Sequence, residues 1–417
     1  MGRNIIISLF LRGAGAAAWL GYCWVLTRIL TDDALGQVLY SLALAGFLAA
    51  ITSAGWAQIL LREGSRYMDQ NQPKLLAHVV FKSLQGAGLR VIFIMIGITI
   101  TYCAGILPNP ISTPKLAMLT VLVSAVLAVV LLLSSAQRAS GNLIKSTTGS
   151  GLFRAGIPLG LSVLLTLIEP VTSVSALLIH LAALVVIAGW LFIGLSKKQL
   201  HTKINNIDRT ALRDLGLAQM GYVLISHLDV LILGWVASPI EAGVYLIIRR
   251  ITGLLNLVFD ALRNAFSPNL AVAFQQKQHP NKEAAYVNRA FLIAGGVTTV
   301  CLMLSGHYIL ESFRVSNAFG VYFWLLLANA APAFFGATGF LMMMANMERL
   351  RLIFIATLLP FGIAILFWAG SFGVYELAMA YALLQFALGA CGAIALRLRH
   401  NIYPSLLMVF PSIISPH

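Results

Sequence analysis

Negative charge is scarce in this sequence. Only 14 of the 417 residues are Asp or Glu, against 28 Lys or Arg, and charged residues together make up 10%. A soluble domain carries about a quarter. With 59% hydrophobic residues, the chain reads as a polytopic membrane protein with the bilayer as its solvent. Its apolar runs are long and continuous. The alternating segments of about ten residues that build an outer-membrane barrel are absent, so the spans are helices. No GxxxxGK[ST] run is present, which excludes a Walker-type ATP site of its own. There is no HExxH and no metal-spaced Cys/His cluster, so neither a metal nor a cofactor is expected. The four cysteines, Cys23, Cys103, Cys301 and Cys391, lie in apolar runs without a CxxC. They read as small buried residues, not as a disulfide framework.

What is present is hydrophobic length. Twelve segments suit spanning helices of about 20 residues. They fall at 5–28, 38–61, 79–106, 116–137, 150–168, 173–196, 211–237, 242–270, 287–311, 319–345, 350–370 and 373–397. Six spans in 1–200 and six in 201–417 give two halves. The N-terminus has the outline of a signal peptide. Arg12 breaks its apolar run, though, and apolar sequence continues to Leu26, so it reads as a first span that is retained.

The net charge of +14 would suggest a nucleic-acid partner in a soluble protein. Here the basic residues sort by loop. Arg3, Arg62, Arg66, Lys74, Lys82, Arg138, Lys145, Arg154, Lys197, Lys198, Lys203, Arg209, Arg213, Lys277, Lys282, Arg289, Arg349, Arg351, Arg397 and Arg399 belong to one side. The opposite side has only Arg28, Lys115 and Arg314. This asymmetry predicts a bacterial cytoplasmic (inner) membrane protein with both termini cytoplasmic, and no nucleic-acid partner.

A weak internal repeat links the halves. Leu35-Gly36-Gln37-Val38-Leu39-Tyr40 opens the second span and Ala242-Gly243-Val244-Tyr245 the eighth, with the glycines 243 − 36 = 207 residues apart. Related FGVY stretches open the tenth and twelfth spans. Duplicated six-span halves are a common transporter plan, with the substrate between them. Pro158, Pro268, Pro332 and Pro360 fall in or near spans, where proline frees a carbonyl and bends a helix.

Charge inside a span is costly and marks function. Two acids lie at membrane depth, Asp229 and Asp260, both in the second half. The first-half spans hold Arg12 and Arg90 and no acid. Arg249, Arg250 and Arg263 complete the set. The short Ser238-Pro239 hairpin makes spans seven and eight antiparallel neighbours, so Asp229 can reach Arg249 or Arg250. It is not expected to hold both, because adjacent helical residues point about 100° apart. Asp260 and Arg263 are i,i+3 and can pair locally. Arg12 can line a cavity or snorkel to the cytoplasmic interface, whereas Arg90 is too deep to snorkel easily. Guanidinium groups suit phosphate because their planar fork donates two parallel hydrogen bonds and stays charged. A cavity lined by Arg12, Arg90 and Arg249 or Arg250 would hold a diphosphate. His180 and His307 read as packed or interfacial, and His227 as a neighbour of Asp229.

The Asp229-Val-Leu-Ile-Leu-Gly234 run, the short hairpin and Gly243-Val-Tyr245 resemble polysaccharide-precursor (O-antigen and exopolysaccharide) flippases of the multidrug/oligosaccharidyl-lipid/polysaccharide exporter superfamily. Arg28-Ile-Leu30 with Leu35-Gly36 is similar to the family's first hairpin. Asn346-Met-Glu-Arg349, Pro360-Phe-Gly362 and Phe372-Gly373 are similar to its spans ten to twelve. The resemblance implies an all-α integral membrane fold of about twelve transmembrane helices, in two six-helix lobes forming a V around a central cavity. It implies alternating-access transfer of an undecaprenyl-diphosphate-linked oligosaccharide, a precursor of O-antigen, lipopolysaccharide or exopolysaccharide, to the outer leaflet. Membrane lipids and other polysaccharide-assembly proteins are the implied partners. Asp229 is a candidate for coupling to a proton or sodium ion. The alternatives are a cation or drug exporter of the same superfamily and a membrane enzyme, a polymerase or glycosyltransferase, acting on lipid-linked sugars. The short outer loops argue against an enzyme.

Overall fold

The computed structural model describes residues 2–70, 73–111, 113–167, 170–193, 209–276, 280–345 and 347–403. Lys197, Lys198, Lys203, Lys277 and Asn346, named above, lie outside these residues, as does the side chain of Pro268. The protein is all-helical. Ten of the described helices are long and apolar enough to cross a membrane, and an eleventh span is made by a bent pair. The remaining predicted segment forms a single helix, α1 (Gly2–Ile29). The chain divides into two compact units, Met1–Leu246 and Ile247–His417.

The first unit continues with α2 (Asp32–Ser53), α3 (Trp56–Asp69), α4 (Pro73–Cys103) and α5 (Pro114–Ala139). Then come α6 (Leu143–Thr147), a π-helical turn over Thr148–Phe153, α7 (Arg154–Leu165) and α8 (Ser173–Phe192). It closes with α9 (Arg209–Ser226), α10 (Leu228–Val236) and most of α11 (Pro239–Thr252). The most apolar span, α5, is its centre and packs against α2, α3, α4 and α8. Leu127, Leu132 and Leu133 are fully buried there. Short polar residues set the helix ends. Thr31 caps α2, with Asp32 and Asp33 in the first turn against the helix dipole. Thr172 and Ser175 form a reciprocal capping box on α8.

The second unit holds α12 (Leu254–Gln276), α13 (Pro280–Ser312), α14 (Phe319–Phe335), α15 (Thr338–Met344), α16 (Glu348–Gly370) and α17 (Val374–His400). Helix α14 packs between α13 and α17, with α12 on α13 and α16 on α17. Pro158 and Pro360 sit inside continuous helices. Pro332 lies one turn before a true break, where its carbonyl accepts from Gly336 N–H. Gly336 adopts φ +85°, and a side chain there would collide with Asn288. Buried Asn288 accepts from Ala337 N–H at 3.1 Å and donates to the Tyr403 carbonyl at 2.9 Å, so one amide ties α13 to the break and to the end of α17.

A similar device holds the break between α2 and α3. Gly55 turns the chain with φ +80°, and its N–H is taken by Gln58 Oε1 at 3.0 Å. The carbonyls at the end of α2 are met by Arg90, from the middle of the Leu75–Cys103 span. Its Nη1 lies 3.2 Å from Ile51 O, 3.0 Å from Thr52 O and 2.6 Å from Ala54 O. A cation at a helix C-terminus is favoured by the dipole, and unpaired carbonyls in hydrocarbon are not tolerated. Arg90→Ala is therefore expected to lower thermal stability in detergent by on the order of 2 kcal/mol, with Arg90→Lys retaining part of it. An unchanged melting curve for Arg90→Ala would remove Arg90's role as the cap.

Candidate functional site

The hairpin between α10 and α11 is built by local rules. Ser238 is the cap, Pro239 the first helical residue and Glu241 the third. Glu241 Oε2 accepts from Ser238 N and Oγ, both at 2.9 Å, while Ser238 Oγ accepts from Glu241 N–H at 3.3 Å. This is a capping box with proline in the first turn. On the other side, α9 and α10 meet at His227 with a 45° bend.

The bend places Asp229 in the first turn of α10, fully buried. Tyr245 of α11, also fully buried, donates its hydroxyl to Asp229 Oδ2 at 2.9 Å. The His227 ring lies 5.9 Å from that of Phe47 on α2. Helix α2 approaches α10 and α11 closely. A Cβ on Gly234 would strike the Tyr40 ring, and one on Gly36 would strike the backbone of Pro239. A Cβ on Gly243 would stand 3.1 Å from Gly36 Cα. The two glycines of the internal repeat are thus in backbone contact with each other.

Within the first unit the predicted cations have separate surroundings. Arg90 serves the α2 carbonyls. Half-buried Arg12 on α1 lies within electrostatic reach of Arg138. Arg138 closes the last turn of α5 and donates from Nε to Ser146 Oγ at 3.0 Å.

A further cation, Arg154, escapes the sequence reading, which places it among the cytoplasmic connections. The observed span is Leu143–Leu165, so Arg154 is its midpoint. The guanidinium carbon sits 5.7 Å from the Trp19 ring centroid on α1. One terminal nitrogen comes within 3.9 Å of where a Gly46 Cβ would stand on α2. Trp19 in turn lies edge-on to Tyr22 at 5.7 Å and to His180 at 5.8 Å. His180 is buried, in keeping with a packed histidine. Gly151 of the π turn packs backbone to backbone against Gly15 of α1, where a Cβ would come within 2.8 Å. The polar run Thr148-Gly-Ser-Gly151 looks like a loop in sequence and is a distorted helix in the fold. The capping residues around it give no sign of this.

In the second unit, half-buried Arg249 lies with its guanidinium carbon 6.0 Å from the ring centroid of buried Tyr381 on α17. Arg250 beside it is also half-buried. Asp260 and Arg263 on α12 form an ion pair at 3.0 Å, with side chains 49% and 34% exposed. Between these levels Asn329 of α14 bonds to Asn256 and Thr252.

The buried Asp229–Tyr245 contact generates a test. Tyr245→Phe removes a donor from a fully buried carboxyl group and is expected to cost about 1–3 kcal/mol, read as a lower melting temperature. Equal melting temperatures for wild type and Tyr245→Phe would contradict a stabilising role for this bond.

No protein-family model matches the chain, and no curated protein matches its sequence. Its fold does match solved structures. One is an inward-facing multidrug resistance MATE-family transporter of the MOP superfamily, with a TM-score of 0.65, 14% identity and 94% of each chain covered. A second is the MATE multidrug transporter DinF-BH, solved as a ligand complex, with a TM-score of 0.64, 14% identity, and 97% of this chain and 95% of that one covered. A third is a MATE structure in complex with MaD3S, with a TM-score of 0.64, 15% identity and 95% of each chain covered. Over nearly its whole length, the chain has the fold of a MATE-type multi-pass membrane transporter.

Proposed function

We propose that the protein is a flippase for an undecaprenyl-diphosphate-linked oligosaccharide, working by alternating access in a bacterial inner membrane with both termini cytoplasmic. The observation that carries this reading is the charge balance of the first half. Its spans contain Arg12, Arg90 and Arg154, while its five acids, Asp32, Asp33, Glu63, Asp69 and Glu169, all lie outside the apolar segments read from the sequence. Cations without carboxylates suit an anionic headgroup. Arginine gives a diphosphate two parallel charged hydrogen bonds at any working pH. The fold adds support, because a transporter of this class has no need of catalytic residues or an outer catalytic loop.

In this reading Arg12, Arg154, Arg249 and Arg250 attract the diphosphate, and Arg90 contributes by fixing the end of α2. The six-span halves, 1–200 and 201–417, are the bodies that rock. The polyprenyl tail stays in lipid while the headgroup crosses. Asp229 is the candidate for coupling to a proton or sodium ion, with the Tyr245 hydroxyl sensing its charge.

Export of a small drug-like compound is the second reading, favoured by the multidrug transporters that share the fold. Reconstitution separates the two. Proteoliposomes loaded with lipid-linked oligosaccharide from the native host are expected to show transfer to the far leaflet with the glycan unchanged. Arg154→Ala and Arg249→Ala should each lower that transfer by about tenfold or more, one charged contact being worth roughly 1.5–3 kcal/mol. Arg250→Ala should give a milder loss. Drug efflux without lipid transfer would replace this reading with the second. A lengthened glycan would indicate an enzyme.

A further inference from the structure

The second unit carries a polar row that the cation argument leaves unused. Asn256, Asp260 and Arg263 are spaced i, i+4 and i+7 on α12, which puts them on one face. All three belong to the apolar stretch Pro239–Arg263. Asn256 is exposed, and Asp260 is nearly half exposed. An open row of amide, carboxylate and guanidinium along such a stretch is costly to turn toward hydrocarbon and suits the bundle interior or a water-filled path.

The row is built with care. Asn329 Oδ1 accepts from Asn256 Nδ2 at 2.7 Å. Asn329 spends its own N–H groups on Leu325 O at 2.8 Å and Thr252 Oγ1 at 3.2 Å. Thr252 is fully buried and donates back to the Ile248 carbonyl at 3.0 Å. Asn329 is therefore committed, and it orients Asn256. That leaves Asn256 with one N–H and its carbonyl oxygen unused among the described residues. One turn further on, Asp260 and Arg263 neutralise each other at 3.0 Å. The row has no net charge and offers donors and acceptors side by side. Neutral vicinal hydroxyls match that pattern, whereas an isolated cation or anion does not.

We propose that Asn256, oriented by Asn329 and Thr252, forms with the Asp260–Arg263 pair a subsite for the sugar hydroxyls of the transported headgroup. The proposal rests on the flippase reading and adds to it where the glycan is held. Binding in nanodiscs tests it with two probes: lipid-linked oligosaccharide extracted from the native host, and undecaprenyl diphosphate without sugar. Asn256→Leu is expected to weaken the first about tenfold, the loss of one or two hydrogen bonds, and to leave the second unchanged. Asp260→Asn, which keeps the shape, should act in the same direction, and Asn256→Gln should recover part of the affinity. Equal affinity of wild type and Asn256→Leu for the glycolipid would overturn the subsite, as would parallel loss of both probes. If wild type binds sugar-free undecaprenyl diphosphate and the glycolipid alike, the subsite fails and the flippase reading stands. If wild type binds neither probe, the flippase reading fails as well.

Discussion

Backbone polar groups in a bilayer have no water to turn to, and that constraint governs how this fold can bend. An unbroken helix satisfies itself. Every break must find donors and acceptors, from a neighbouring helix or from its own turn. At the end of α2 the import is the guanidinium of Arg90 on three carbonyls. At the end of α14 it is the amide of Asn288, buried against Gly336. Between α10 and α11 the chain supplies its own capping box. The long-range caps come from a different helix, so each break is tied to a neighbour. Such a joint can hold a fixed angle in hydrocarbon without loosening the helices on either side.

The same constraint sorts the ionisable residues. A charge at membrane depth must meet a partner, but the partner differs in kind. Arg90 meets backbone carbonyls, so its charge is already used structurally. Arg154 and Arg249 are set near the rings of Trp19 and Tyr381, cation–π contacts worth roughly 0.5–2 kcal/mol. Asp229 receives a tyrosine hydroxyl, a bond that a carboxylate and a neutral acid can both accept. Residues of one type thus divide into those that close a helix end and those held in place by side chains.

Much of this was legible in the sequence, and the unread part has a physical cause. Spans are read from hydrophobic length, and Asp32–Ser53, Pro114–Ala139 and Val374–His400 emerge where apolar runs demand them. The Ser238–Glu241 cap follows from residue spacing alone. Arg154 is misread because the helical turn before it is made of threonine, serine and glycine, residues that favour loops. Packing against α1, α5 and α8 surrounds that turn, and packing partners are not local. Arg90 shows the converse. Its depth is readable, but its target, a helix end 36 to 39 residues earlier in the chain, is not. The repeat at Gly36 and Gly243 is visible as a pattern, while the contact between the two glycines is a property of the folded unit.

One stripe of the second unit joins these points. Arg249, Thr252, Asn256, Asp260 and Arg263 follow one another at spacings of three and four residues along a span interrupted once, at Gly253. Such spacing is the signature of one helical face. In an apolar span it would be the worst surface to turn toward lipid. The order along it is informative: a guanidinium first, then a hydroxyl and an amide, then a self-neutralised pair. A free inorganic anion would need only the first of these. On the proposed flippase reading, a headgroup in which phosphate is joined directly to sugar presents charge and hydroxyls in that sequence. The stripe thus sets charge, hydroxyl and amide on one helical face within a single unit.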